Sequence, residues 1–360
     1  MQISNIKSIF AQSNISEGAF HPKLHKHTYF LYPLHAFSAQ IMANLQEGSL
    51  QWYWQLMNVT QVWKDFGDGS NKIVVAVFDN DFDITHPDFQ GKIYKGKDFY
   101  VGNVYDDNGE LVSKPFQIMN HSAHGTACAS IAIAARNGKG VIGGCPNALF
   151  MPVRVAGSSE GAILDAIKYA IDNGAHVISA SIGTSPDDSL SDDAKNQLAV
   201  LSKRIIICFA TGNDGVETVS WANQPGVIGI GASTILEHLA DYSNFGSNVS
   251  LCASSDGDGQ RVVAADIVGE AGDAPGDISY DFGGTSAACP MAAGIIAQML
   301  SVNPKLRVGD VKAILKATGV PIPNKKQGDT EDSREIPYKH VRIDAYAAVK
   351  EAKRRAMIVV

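Results

Sequence analysis

Ile73 to Asp79 reads IVVAVFD, with no polar side chain before the terminal acid. A strand with one face in water alternates apolar and polar residues; a continuous apolar run, β-branched at its core, suggests a strand covered on both faces, as parallel strands inside an α/β layer structure are. Leu149 to Val155, His176 to Gly183, Ile205 to Ala210, Val227 to Ser233 and Asn248 to Ala253 read as further strands. Between and after them lie helical stretches at His124 to Ala135, Glu160 to Asn173, Leu190 to Ser202, Ser286 to Leu300, Val308 to Ala317 and Asp344 to Ala352. Glu160 to Asn173 places apolar residues at i, i+3, i+4 and i+7 and stops at Gly174, a suitable residue just past a helix end. Such alternation predicts right-handed crossovers and an α/β fold: a doubly wound, mostly parallel sheet with helices on both faces. The Gly- and Asp-rich stretch 254–285 is the longest irregular one and reads as a hairpin excursion or a binding loop.

Composition narrows the function classes. The 360 residues are 45% hydrophobic and 19% charged, an ordinary globular balance. Net charge is -7. Residues 303–360 hold 13 basic and 7 acidic side chains, so the first 302 residues carry -13. An acidic body argues against nucleic-acid binding. No apolar run in the sequence approaches the roughly 18–20 residues of a membrane span, and MQISNIKSIFAQSNISEG lacks the basic and apolar regions of a secretory signal. The expectation is a cytoplasmic protein without membrane contact, secretion remaining open. Its five cysteines form no C-x-x-C pair and read as free thiols. Residues 1–50 lack sustained periodicity, and His21, His25 and His27 read as solvated surface histidines rather than metal ligands. The domain reading is therefore 1–50 as an N-terminal segment, 51–352 as one domain of alternating strands and helices and 353–360 as a basic tail.

Ligands of an open parallel sheet collect outside the carboxyl ends of its strands. Four chemically able residues fall at strand ends or helix starts: Asp79 closes IVVAVFD, His124 opens HGTACAS, Asn213 follows IIICFATG, and Ser286 sits in GGTSAACP. Each alone has a plain structural reading, as a helix cap or a satisfied core histidine. Together, in the order Asp, His, Asn, Ser, these segments resemble the motifs of the subtilisin-like serine proteases (subtilases). The resemblance runs from QWYWQLMNVTQVW at 51–63 to RIDAYAAV at 342–349.

What the resemblance implies is the mechanism known for that family. Ser286 attacks the scissile carbonyl, His124 takes its proton, and Asp79 holds the imidazole in the working tautomer. Asn213 and the backbone N–H of Ser286 donate to the oxyanion. Ser181, Ile182 and Gly183 resemble the edge that pairs with a polypeptide substrate bound as an extended strand, with Ala210, Thr211 and Gly212 as one wall of the adjacent pocket. The family's calcium site carries over to the side chains of Asp88 and Asn137 and the carbonyls of Ala135, Lys139 and Val141; the alternative there is a loop closed by ordinary hydrogen bonds.

Departures from the pattern carry their own expectations. Asp187 and Asp188 stand where the kexin-like branch keeps acids for basic substrates, yet only 74 residues follow Ser286, too few for that branch's extra domain. They read equally as a solvated helix start with Asp192 and Asp193. Asp79-Asn80-Asp81 brings a second carboxylate close to the first, either adding negative charge beside His124 or facing solvent. Residues 1–50 are short for an inhibitory propeptide and read as a short pro-segment or a partner-docking arm. The leading function is a serine endopeptidase; the rival is a protease-fold binding or scaffold protein whose activity is lost or depends on a regulatory partner. A dinucleotide-binding enzyme is excluded, because no G-x-G-x-x-G follows the strand that ends at Asp79.

Overall fold

A computed structural model describes residues 48, 50–99, 123–155, 159–183, 185–323 and 336–358. His21, His25 and His27 lie outside them. In chain order the elements are α1 (Trp52–Leu56), α2 (Val59–Phe66), β1 (Val74–Asp79), β2 (Lys97–Asp98), α3 (His124–Ile133), β3 (Leu149–Arg154) and α4 (Glu160–Asp172). Then follow β4 (Val177–Ala180), α5 (Asp192–Leu201), β5 (Ile206–Ala210), β6 (Ile228–Ser233), β7 (Leu251–Ser254), β8 (Val262–Ala265), β9 (Ile278–Phe282) and α6 (Gly284–Val302). The described chain closes with α7 (Val308–Thr318), β10 (Val320–Ile322), β11 (His340–Arg342) and α8 (Ala345–Ile358).

Nine strands form one sheet in the order β10-β11-β7-β6-β5-β4-β1-β3-β2, every pair parallel except β10 with β11. Side chains of β1 alternate between two cores: Val75 and Val77 pack with α3 and α6, while Val74, Ala76 and Phe78 pack with α4 and α5. That partition is the doubly wound arrangement the apolar run predicts. Strand order turns at β1, whose neighbours are β3 on one side and β4 on the other. The crevice at this switch point opens beyond Asp79.

Local differences from the sequence reading have physical reasons. The fourth strand stops at Ala180, so Ser181 to Gly183 continue as irregular chain. Residues 254–285 contain an antiparallel hairpin, β8 with β9, which resolves the two alternatives for that stretch in favour of the excursion. The edge pair β10 and β11 went unread because each strand has three residues, too short for any periodicity. The basic tail is not separate: α8 runs to Ile358, with Arg354 and Arg355 both paired to Glu351 within one turn. α6 is long and apolar enough to cross a membrane by length and composition, contrary to the expectation that nothing is, but 83% of its apolar window is buried against sheet and neighbouring helices. It is the core helix.

Candidate active site

Asp79, His124, Asn213 and Ser286 arrive at one place from four elements: the end of β1, the start of α3, the loop after β5 and the first turn of α6. Asp79 is buried, and its Oδ1 meets His124 Nδ1 at 2.7 Å while accepting the Asn80 N–H at 2.8 Å. Its Oδ2 is buried without a hydrogen-bond partner. The His124 ring keeps about a third of its side chain exposed and packs edge-on against Phe282. Two residues after His124 explain why helix and strand meet so closely. A Cβ on Gly125 would fall 2.1 Å from the Asp81 carbonyl oxygen, so only glycine fits. Thr126 Oγ1 then accepts the Asp83 N–H at 2.8 Å.

Burial alone pushes the His124 imidazole down, the Asp79 carboxylate raises it by charge and hydrogen bond, and the net shift is upward. Cys128, one turn along α3 and 3.8 Å from Nδ1, is itself pushed up to about 11 by burial, so at neutral pH it is an uncharged thiol. The standing negative partner of the imidazole is Asp79.

Of the two alternatives for Asp81, facing solvent is corrected. That side chain is buried and lies 3.8 Å from Arg154, whose Nε donates to the Asn80 carbonyl and whose Nη1 reaches Asp98. Arg154 stands opposite Asp79 in the β1–β3 register, so one cation offsets the extra carboxylate beside the site.

The first turn of α6 is organised by its own sequence. Pro290 has no N–H to give the Ser286 carbonyl four residues back, and that oxygen instead accepts Ser181 Oγ at 3.0 Å and Cys128 Sγ at 3.4 Å. These two bonds join the serine to the end of β4 and to the histidine helix. Gly284 has φ +71°, a left-handed conformation that suits glycine. Of the orphan N–H groups expected at a helix start, that of Gly284 goes to Asp256 at 2.7 Å and that of Thr285 to Asn213 Oδ1 at 2.8 Å. Thr285 Oγ1 also donates to Asn213 Oδ1, at 3.0 Å. With its oxygen held twice, the Asn213 amide has a fixed orientation and its NH₂ is the end left to donate. Among the described residues nothing accepts from the Ser286 N–H.

The expected substrate residues border the same crevice. Ser181 is buried, Ile182 half-buried and Gly183 exposed. Gly212 donates its N–H to Thr285 Oγ1 at 3.1 Å, which ties the loop after Ala210 and Thr211 to α6. Asn244, which sequence reasoning missed, shapes that loop: it accepts the N–H groups of Asp214 and Val216 and donates to the Thr211 carbonyl. Nothing local marks it, since its partners lie about thirty residues upstream. Asp187 and Asp188 are exposed in the approach to α5.

At the expected calcium position, Asp88 is fully buried. Its Oδ1 accepts Asn137 Nδ2 at 3.0 Å and its Oδ2 the Val141 N–H at 3.1 Å, and Gly140 at φ +61° lets the backbone pass close by. Among the described residues nothing donates to the carbonyls of Ala135, Lys139 and Val141. One buried carboxylate, one amide and three free carbonyls fit a hard cation, provided the Asn137 amide turns its oxygen toward it.

A nucleophile candidate at a helix start, a histidine backed by a buried aspartate and an amide with a fixed orientation, set at the switch point of a doubly wound sheet, define the class of subtilisin-like folds. The family model described as the subtilase family matches residues 70–336, and the chain belongs to that family. A calcium-dependent protease of Trichormus variabilis is 32% identical over 336 residues, covering 82% of this chain and 48% of the relative. The major intracellular serine protease of Bacillus subtilis is 29% identical, covering 69% of this chain and 74% of the relative. Among solved structures, a protease from Pseudoalteromonas arctica superposes with a TM-score of 0.68 at 26% identity, covering 85% of this chain and 98% of that one. The chain spans about half the length of the first curated relatives it matches.

Proposed function

We propose that this chain is a serine endopeptidase that cleaves polypeptides bound as extended strands. The observation that carries the reading is the pairing of buried Asp79 with half-buried His124, on the helix whose Cys128 bonds the Ser286 carbonyl, with Asn213 held by the neighbouring Thr285. Neutral His124 takes the Ser286 hydroxyl proton as Oγ attacks the carbonyl; Asp79 stabilises the imidazolium; the Asn213 amide and the Ser286 N–H receive the oxyanion; the imidazolium then protonates the leaving amine. Substrate backbone adds along Ser181 to Gly183, against the wall of Ala210 to Gly212. Intact-mass measurement after exposure to a fluorophosphonate tests the proposal, on the full chain and on a chain beginning at residue 51. One adduct on both is expected. An adduct on the shorter chain alone makes residues 1–50 an inhibitor, and none on either favours the scaffold reading.

The upward shift of His124 sets a pH dependence. The base works only when neutral, so kcat/KM rises with pH, and the midpoint of that rise is expected above 6.5, the ordinary imidazole value. Asp79→Asn removes the negative partner and moves the midpoint down. The same pair contributes to stability fully below the unfolded-state value and loses that contribution as pH rises through the raised folded-state value. A midpoint at or below 6.5 in the wild type overturns this.

We assign calcium to Asp88, Asn137 and the carbonyls of Ala135, Lys139 and Val141, as a structural ion that would tie the loop after α3 to the segment after β1. The name of the Trichormus relative points the same way. A chelator is expected to lower the thermal midpoint by roughly 5 °C relative to calcium at a hundred times its dissociation constant. Asp88→Asn should abolish that difference, and a midpoint indifferent to both treatments rejects the ion. All five cysteines are free and buried, which suits a reducing compartment, and with the intracellular Bacillus relative supports a cytoplasmic protein.

A further inference from the structure

The hairpin side of the molecule holds polar groups that the mechanism above does not use, and they converge on Gly284. Asp256 Oδ1 accepts the Gly284 N–H at 2.7 Å and the Tyr242 hydroxyl at 2.5 Å. Its Oδ2 accepts Arg261 Nη1 at 2.7 Å. The preceding residue, Ser255, donates its hydroxyl to the Gly284 carbonyl at 2.7 Å. Both peptide groups of Gly284 are thus held from outside the helix. The approach is close enough to dictate the neighbouring residue: a Cβ on Gly283 would lie 2.3 Å from Asp256 Cγ, although the φ of 179° there suits any side chain. Gly283 is a glycine because Asp256 is present, Gly284 because its backbone is left-handed.

We propose that Asp256, assisted by Ser255, is a positioning residue for Ser286 and for the oxyanion donors; the inference rests on the peptidase reading and deepens it. The argument is one of geometry. Thr285 follows Gly284 directly and holds Asn213 Oδ1 with both its N–H and its hydroxyl, so the Gly284–Thr285 peptide plane sets where the Asn213 NH₂ points and fixes the residue from which the Ser286 N–H extends. Two donors serve an oxyanion only if they aim at the same spot, and a misplacement of about 1 Å costs on the order of 10²-fold in rate. A carboxylate at the start of a 19-residue helix is also favoured by the helix dipole. Its negative charge, unfavourable to an approaching oxyanion, is offset by Arg261, which reaches Asp281 as well and whose carbonyl takes the Trp52 indole N–H.

The test compares full-length wild type, Asp256→Ala, Asp256→Asn and Tyr242→Phe, with folding checked by thermal midpoint and near-UV circular dichroism. Asn keeps an acceptor for the Gly284 N–H and loses only the charge; Phe removes a support one step further out. Asp256→Ala is expected to lower kcat about 10²-fold with KM within about twofold, and Asp256→Asn to recover to within about tenfold of wild type. Tyr242→Phe should lose less than Asp256→Ala. Wild-type kcat in Asp256→Ala, or a loss confined to KM, overturns the proposal. Hydrogen exchange of residues 284–286 reads the clamp without activity: faster exchange is expected in the Ala variant and not in the Asn variant. If wild type itself turns over no substrate, the peptidase reading has failed, and unchanged exchange in Asp256→Ala then rejects the clamp separately. Should the Ala variant not fold, the Asn and Phe variants decide, since loss of exchange protection in Asn equal to that of an unfolded segment refutes an acceptor-based role.

Discussion

Ser286→Ala is expected to abolish fluorophosphonate labelling and to reduce peptide cleavage about 10⁴–10⁶-fold, a magnitude carried over from subtilisin, a member of the same family. The fold should survive. Ser286 is half-buried, and the bonds that fix its position run through its carbonyl oxygen, from Ser181 and Cys128, which alanine retains. The thermal midpoint is therefore expected to stay within about 2 °C of wild type. Turnover at the wild-type rate in this variant would end the peptidase reading, because that reading makes the Ser286 hydroxyl the nucleophile. A collapse of the midpoint would instead mean that the side chain is part of the packing.

Asn213→Ala is expected to lower kcat about 10²–10³-fold while KM changes little, again on the scale known for the corresponding asparagine of subtilisin. The split matters. An amide that only shaped the pocket would raise KM, whereas one that meets charge appearing in the transition state lowers kcat. Some structural cost accompanies the change, since Thr285 then loses the acceptor for its N–H and hydroxyl. Thr285→Val separates the two effects: it removes the hydroxyl, with its bond to Asn213 Oδ1 and the bond it accepts from the Gly212 N–H, but keeps the Thr285 N–H bond and the Asn213 amide, so it is expected to lose less than Asn213→Ala. Equal losses would assign the whole effect to the orientation of the turn.

Much of this site was legible along the chain because each chemical residue sits inside a local pattern that has its own reason. IVVAVFD, short, β-branched and apolar throughout, reads as a strand buried on two faces, which puts its terminal acid at a sheet end. HGT carries a glycine for the approach to the Asp81 carbonyl and a threonine for the Asp83 N–H. In GGTSAACP the proline frees the serine carbonyl for side chains from elsewhere. The supports were not legible. Asn244, Asp256 and Arg154 look like ordinary loop or strand-end polar residues, and Asp256 lay in a stretch read only as hairpin or binding loop. The partners lie 28 to 33 residues away for Asn244 and 56 to 74 for Arg154, and the Gly284 N–H that Asp256 accepts is 28 residues on.

The sequence by itself determined the layered α/β fold, the order of its principal strands and helices, and the four residues around which the chemistry is proposed, because burial on two faces and tight helix starts leave a one-dimensional record. Tertiary structure alone decided the short edge strands, the pairing of Asp81 with Arg154, the clamp of Ser255 and Asp256 on Gly284, and the engagement of both Asp88 oxygens by N–H donors. Those are contacts between segments distant in the chain, where a carboxylate's partner depends on how the sheet and its loops come together rather than on its neighbours in sequence.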